Sequence, residues 1–255
     1  MSIVLRENDW AEKMIRSCSI GKRPSETLRR VARYYMDTYG MSQEAARKKL
    51  DLFLLQCNPT ASLPKWSDAL DYAVAHANKY PAICIESISI TDREMAKIDS
   101  LGGKQIRRLA FTLLCLSKYW NMVTGKNDGW VNSKDNEIMA MANIKTSIKR
   151  QSAMYGELNE LGFIQFSRKV DNTNVRVCFA EDGEEVMRIT DLRNLGYQYL
   201  MYHGEPYFVC DNCGTTTKIL NKDNIRRQKY CPECASIVKM RKNIESAMRC
   251  RNIPS

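Results

Sequence analysis

Four cysteines constrain this chain more than any other feature. Cys210-Asp211-Asn212-Cys213 and Cys231-Pro232-Glu233-Cys234 are two Cys-x2-Cys pairs with seventeen residues between them. Each pair can form a tight knuckle that points two sulfurs at one ion, and the intervening stretch is long enough for a hairpin that brings the knuckles together. Four thiolates at this spacing match the closed tetrahedral site of one structural Zn2+. A thioredoxin-like redox pair needs a single Cys-x-x-Cys in a βαβ setting, and an iron–sulfur site is less favoured without other signs of a cofactor enzyme. Four cysteinates around a zinc ion leave a double negative charge, which Lys218, Arg226, Arg227 and Lys229 can offset. The other cysteines, Cys18, Cys57, Cys84, Cys115, Cys178 and Cys250, lack ligand spacing and read as core or incidental thiols.

The quartet and its flanks resemble a zinc ribbon. Beyond it, Ala235–Arg251 carries Ile237, Met240, Ile244 and Met248 on one helical stripe, among Lys239, Arg241, Lys242, Arg249 and Arg251. Such a helix can lay its stripe on the ribbon and turn its charge toward a nucleic-acid backbone, or dock on a protein.

Upstream, Ser133 to Ala180 reads as short helix, turn, longer helix, glycine stop, strand, polar hairpin and strand. Ser133 can cap the first helix, which turns Ile138, Met139, Ala142 and Ile144 inward. Thr146 or Ser147 can cap the second, in which Ile148, Tyr155, Leu158 and Leu161 recur at helical spacing and are expected in a core. Gly162 supplies the left-handed stop. Phe163–Arg168 and Asn174–Phe179 alternate as strands across the turn composition Val170-Asp171-Asn172-Thr173.

This order resembles the winged helix-turn-helix superfamily over roughly residues 85–180. The resemblance rests on Ala-x-Ile-Lys-Thr-Ser-Ile-Lys-Arg, on the Glu-Leu-x-Glu-Leu-Gly-Phe-Ile helix exit, and on the hairpin after it. It implies that the second helix enters the major groove of duplex DNA with its first turns. The contacting residues would then be Lys145, Thr146, Ser147, Lys149, Arg150 and Gln151, with Arg168, Lys169 and Arg176 on or near the wing. Lys149 and Arg150 suit phosphates or guanine edges, Gln151 suits adenine, and the Thr146 and Ser147 hydroxyls suit phosphate near a helix start. The same superfamily includes protein-interaction modules.

The remaining segments fill in a mainly α fold with small β elements, of the α+β class. Residues 1–80 read as a helical N-terminal subdomain, 81–185 as the winged-helix domain, 186–205 as a connecting helix and 206–255 as the ribbon with its basic helix. Helices are expected from Ser25 to Tyr39, from Ser42 to the Asn58-Pro59 break, and from about Trp66 to Asn78. Ala82–Ile90 reads as one strand through Ile83, Ile85, Ile88 and Ile90. Thr91-Asp92-Arg93-Glu94 matches a capping box, and Lys104–Trp120 should be the central helix. Two basic helix faces, Arg29/Arg30/Arg33 and Arg47/Lys48/Lys49, read first as solvated surface and second as phosphate contacts. The carboxylates of Glu181–Glu185 sit in one exposed loop and read as solvated, since a catalytic metal needs separated, inward-facing acids.

The net charge of +10 favours a polyanionic partner, with double-stranded DNA first. Residues 186–255 hold 12 Lys/Arg against 6 Asp/Glu, so much of that excess lies in the ribbon segment. The N-terminus lacks a secretory apolar region and Leu109–Leu116 is too short to span a bilayer, so the expected location is the cytoplasm with no membrane partner. His76 and His203 stand alone, and no catalytic constellation supports an enzyme. The leading expectation is a non-enzymatic DNA-binding protein in the style of phage or mobile-element regulators and replication factors. A protein-binding inhibitor or adaptor of phage origin, docking on a host or defence complex, stays open beside it.

Overall fold

The computed structural model describes residues 3–168, 174–219 and 228–251. The protein is mainly helical, with three small antiparallel sheets among the described residues, and it divides into two compact units, Met1–Glu86 and Ser87–Ser255. Among the described residues no helix is long and apolar enough to cross a membrane.

The first unit contains α1 (Glu7–Arg16), α2 (Pro24–Tyr39), α3 (Gln43–Cys57), α4 (Leu63–Ala75) and a 3-10 turn, Ala77–Lys79. Pro24 occupies the first turn of α2, where its missing N–H costs nothing, and Gly40 ends that helix in the left-handed region. The Ser42 hydroxyl accepts from the Ala45 amide and starts α3. Leu28 and Val31 from α2 pack with Leu50 and Phe53 from α3 and with Leu70 and Ala73 from α4. Trp10, Met14 and Ile15 of α1 lean on the same cluster.

Charge runs through this core. Arg30 and Arg33 are 1% and 3% exposed, so neither lies on a solvated or phosphate-contacting face as the sequence suggests. Glu7, itself buried, accepts from Arg33 Nη1 at 2.6 Å, and Arg33 Nε donates to the Ala77 carbonyl at 2.5 Å. Arg30 pairs with Glu26 at 3.0 Å and lies over the Trp10 ring. The compensating carboxylate of Glu7 arrives from another helix, which a reading of α2 alone cannot anticipate. Arg47 is likewise occupied, by Asp51 and Asp71.

The strand expected over Ala82–Ile90 is two separate pairings. The Ile85 amide donates to Leu5 O and the Glu7 amide to Ile83 O, which tethers residues 83–85 to the start of the chain. Only β1 (Ile88–Thr91) is a regular strand. The isoleucines slip from a spacing of two to a spacing of three between Ile85 and Ile88, which switches the side of the strand they occupy.

In the second unit, β1 leads into α5 (Asp92–Asp99) through the expected capping box of Thr91 and Glu94. The central helix α6 (Lys104–Thr124) buries Leu109, Ala110, Leu113, Leu114 and Leu116, and runs to Gly125. Then follow β2 (Trp130–Val131), α7 (Asp135–Met141), α8 (Ile148–Glu160), β3 (Ile164–Phe166), β4 (Val175–Val177) and β5 (Glu185–Ile189). β4 sits between β2 and β3 in one antiparallel sheet, and β5 pairs with β1 in another. The chain continues through α9 (Leu195–Tyr202), the hairpin β6 (Tyr207–Val209) and β7 (Thr216–Lys218), and α10 (Pro232–Arg251).

Glu94 ties several of these elements together. It is fully buried, and it accepts from Lys118 Nζ at 2.6 Å, from the Thr91 amide at 2.9 Å and from the Glu181 amide at 3.1 Å. The expected acidic loop is thereby docked at its first residue, and the half-buried Glu181 carboxylate meets Lys97 at 2.5 Å.

Candidate metal centre and helix-turn-helix face

The four cysteines predicted as ligands come together. One ligand atom from each of Cys210, Cys213, Cys231 and Cys234 lies within 4.8 Å of all the others, so the cluster can hold a metal ion. A four-coordinate ion about 2.3 Å from each sulfur sets sulfurs about 3.8 Å apart. Cys213 Sγ and Cys231 Sγ are separated by 3.8 Å.

Two different local structures present the pairs. Cys210 and Cys213 sit at the tip of the β6–β7 hairpin, where Gly214 adopts φ +70° and its amide donates to Cys210 O at 2.8 Å. The second pair belongs to a helix start instead of a second hairpin. Cys231 directly precedes Pro232, the first residue of α10, and Cys234 lies in the first turn. Free amides at a helix start favour thiolates, but burial outweighs them at Cys231 and pushes that thiol up. The Cys231 amide donates to Cys210 Sγ at 3.2 Å, and Asn212 Nδ2 donates to Cys234 Sγ at 3.2 Å. Burial opposes ionisation of Cys210, but backbone donors at Cys231, Cys213 and Asn212 outweigh it and bring the thiol down to about 6.

Outside the ligands stands an arginine that the sequence reading missed. Arg193 Nη2 donates to Cys213 O at 2.6 Å, and Asp191 holds the same guanidinium at 2.5 Å. Burial works against this charge, while Asp191, Cys213 and Cys231 hold it in place. Arg193 therefore offsets the negative cluster, a role expected of Lys218, Arg226, Arg227 and Lys229. Arg226 and Arg227 lie outside the described residues. The connecting helix expected over residues 186–205 begins only at Leu195, because residues 186–189 belong to β5 and Asp191 to Asn194 form a polar turn in which Asp191 Oδ1 accepts from the Arg193 amide.

The segment expected to form the helix-turn-helix differs from expectation in detail. Helix α7 starts after Lys134 with no side-chain cap, while the Ser133 hydroxyl accepts from Trp120 Nε1. Ser147, not Thr146, caps α8 by accepting from the Arg150 amide. Tyr155 and Leu158 are buried as expected. Ile148 is 80% exposed and Leu161 56%, so both leave the core. Ile148 sits at the first helical position, before the helix makes its full approach to the sheet, and Leu161 sits just past its end.

Lys145, Ser147, Lys149 and Arg150 are exposed around the start of α8, and Arg168 is exposed just after β3. Among the described residues none of these four basic side chains has an ion-pair partner. The first turn of α8 carries no acid, so the positive end of the helix and its cations add. Thr146 is half-buried, and its carbonyl accepts one of the two amide hydrogens of Gln151 Nε2 at 3.1 Å, which leaves the other hydrogen and Oε1 for a base edge. Arg176 is paired with Asp128 at 2.8 Å. Lys169 lies outside the described residues. An open cleft of about 400 Å3 separates Gly102, Gly103 and Lys104 from Arg150 and Glu157.

Comparisons with protein-family models, curated proteins and solved structures return no match.

Proposed function

We propose that this chain is a non-enzymatic DNA-binding protein in which the start of α8 meets duplex DNA and the cysteine quartet holds one structural zinc ion. The observation that carries the reading is the basic group of Lys145, Lys149 and Arg150 at an acid-free helix start, without ion-pair partners among the described residues. Cations there are unfavourable to the helix itself, so an external polyanion is the natural counter-charge. The contrast with α6 supports this. That helix also opens on basic residues, but Lys104 pairs with Glu205, Arg107 donates to Leu101 O and Arg108 to Asn143 O. The order of two helices, a turn and a β-hairpin suits insertion of α8 into the major groove. Zinc is the ion best matched by four sulfurs at tetrahedral spacing. Regulation or replication in a phage or mobile element is the setting we favour.

Titration of a pooled random duplex, followed by anisotropy, tests the reading. Binding should weaken steeply between 50 and 200 mM salt. Lys149→Ala and Arg150→Ala should each lower the salt slope by about one. Absence of binding at the lower salt would overturn it. The protein-docking alternative draws support from α10, where Ile237 and Met240 are exposed at helical spacing. Recovery of one stoichiometric protein partner together with no duplex binding would favour that alternative.

A further inference from the structure

We propose that Asn143 and Asn194 form a positioning joint through which metal ligation at the cysteine quartet holds the turn between α7 and α8. The inference rests on the metal-binding reading and does not require the DNA-binding one. Asn143 lies in that turn and Asn194 just before α9, and both adopt left-handed backbone conformations, with φ of 55° and 54°. Their side chains meet, Asn143 Nδ2 donating to Asn194 Oδ1 at 2.9 Å.

The direction of each amide is fixed from outside the pair. Asn194 Nδ2 donates to the Thr216 carbonyl at 2.9 Å, and a carbonyl can only accept. Asn143 Oδ1 accepts from the Tyr197 amide at 3.1 Å, and a backbone N–H can only donate. The relay therefore runs one way, from the α9 backbone through two side-chain amides to β7. Thr216 is 3% exposed and follows closely on Cys213, while Arg193, next to Asn194, donates to Cys213 O. Two adjacent residues thus grip the metal knuckle, one by its ligand's carbonyl and one by the hairpin strand.

The other end of the joint is equally confined. A Cβ at Gly196 would collide with the Ala142 carbonyl, so α9 presses directly on the turn. Arg108 of α6 donates to Asn143 O at 3.1 Å. A short hairpin with four cysteines around an ion depends on that ion for its order. Removing it would release the Thr216 and Cys213 acceptors together, and the turn would lose one of its three supports.

Hydrogen exchange on the full chain tests this, comparing zinc-loaded protein with chelator-treated protein, with metal content measured in both. The Tyr197 amide, shared between Asn143 Oδ1 at 3.1 Å and the Asn194 carbonyl at 2.9 Å, reports the joint together with the start of α9, and the Ile144 amide reports the turn. Both should exchange roughly tenfold faster without zinc, a typical size for coupling between sites. Amides of α2 in the other unit should not change. Asn194→Asp retains the acceptor for Asn143 but sets a carboxylate against Thr216 O, and Asn194→Gly keeps the left-handed backbone while deleting the amide. Each should bind zinc at the wild-type stoichiometry and lose the zinc response at Ile144. A wild-type turn indifferent to zinc, or variants that respond as strongly as wild type, would overturn the inference alone. A chain that takes up no zinc would overturn the metal reading and this inference with it.

Discussion

Glu94 shows how much a single buried acid can carry. Its oxygens satisfy an ammonium, a helix-capping amide and the amide of a residue 87 positions away. Glu94→Ala would leave Lys118 partly buried without its counter-charge and two amides without an acceptor. The expected loss is about 3–5 kcal/mol in a urea melt, typical of breaking a buried pair from one side. Glu94→Gln should cost less, because an amide oxygen still accepts. Half of this site was legible in the sequence, since the spacing of Thr91 and Glu94 is a local signal. The other half, Lys118 and Glu181, was not, because nothing in a linear pattern says which distant donors a buried carboxylate will meet. The same limit hid Glu7 beneath Arg33 and Arg193 beside the quartet. Cys-x2-Cys spacing, by contrast, is local chemistry repeated, and all four cysteines were found from it.

Among the elements, α8 is where periodicity and exposure part. Its apolar positions begin at Ile148, but only the later ones reach the sheet. An exposed isoleucine among Lys145, Lys149 and Arg150 suits an apolar contact with a thymine methyl group. Ile148→Ala should shift stability by no more than about 0.5 kcal/mol. On a selected duplex, deoxyuridine at one thymine position should weaken the wild type and leave Ile148→Ala unaffected, as read by competition binding. The expected strands flanking the hairpin turn contracted to Ile164–Phe166 and Val175–Val177. Their centres were correct because alternation is strongest there, and their ends were set by how far the partner strands, β2 among them, run alongside. The start of α10 moved to Pro232 for a related reason. A proline between two cysteines reads as a knuckle residue, yet it is also the residue best suited to a first helical turn.

At the scale of the whole molecule, the metal-bearing elements all belong to the unit that starts at Ser87. Residues 1–86 have a hydrophobic cluster and a buried ionic network of their own. Expressed alone, they should give a cooperative helical melt followed by circular dichroism, and addition of a chelator should leave its midpoint unchanged. A non-cooperative melt would show that this unit depends on the rest of the chain. In the 255-residue chain, chelation should lower the transition of the second unit only. The tether between residues 5–7 and 83–85 also bears on how the unit is made. Leu5 and Glu7 are translated well before residues 83–85, so Leu5 O and the Glu7 amide find their partners only when Ile85 and Ile83 have followed. The buried charge of Glu7 must wait for Arg33, and Arg33 in turn for the carbonyl of Ala77. Helices α2 to α4 can gather as they are synthesised, while α1 remains the last piece to be locked, so residues 5–7 complete their unit only when nearly the whole of it has been translated.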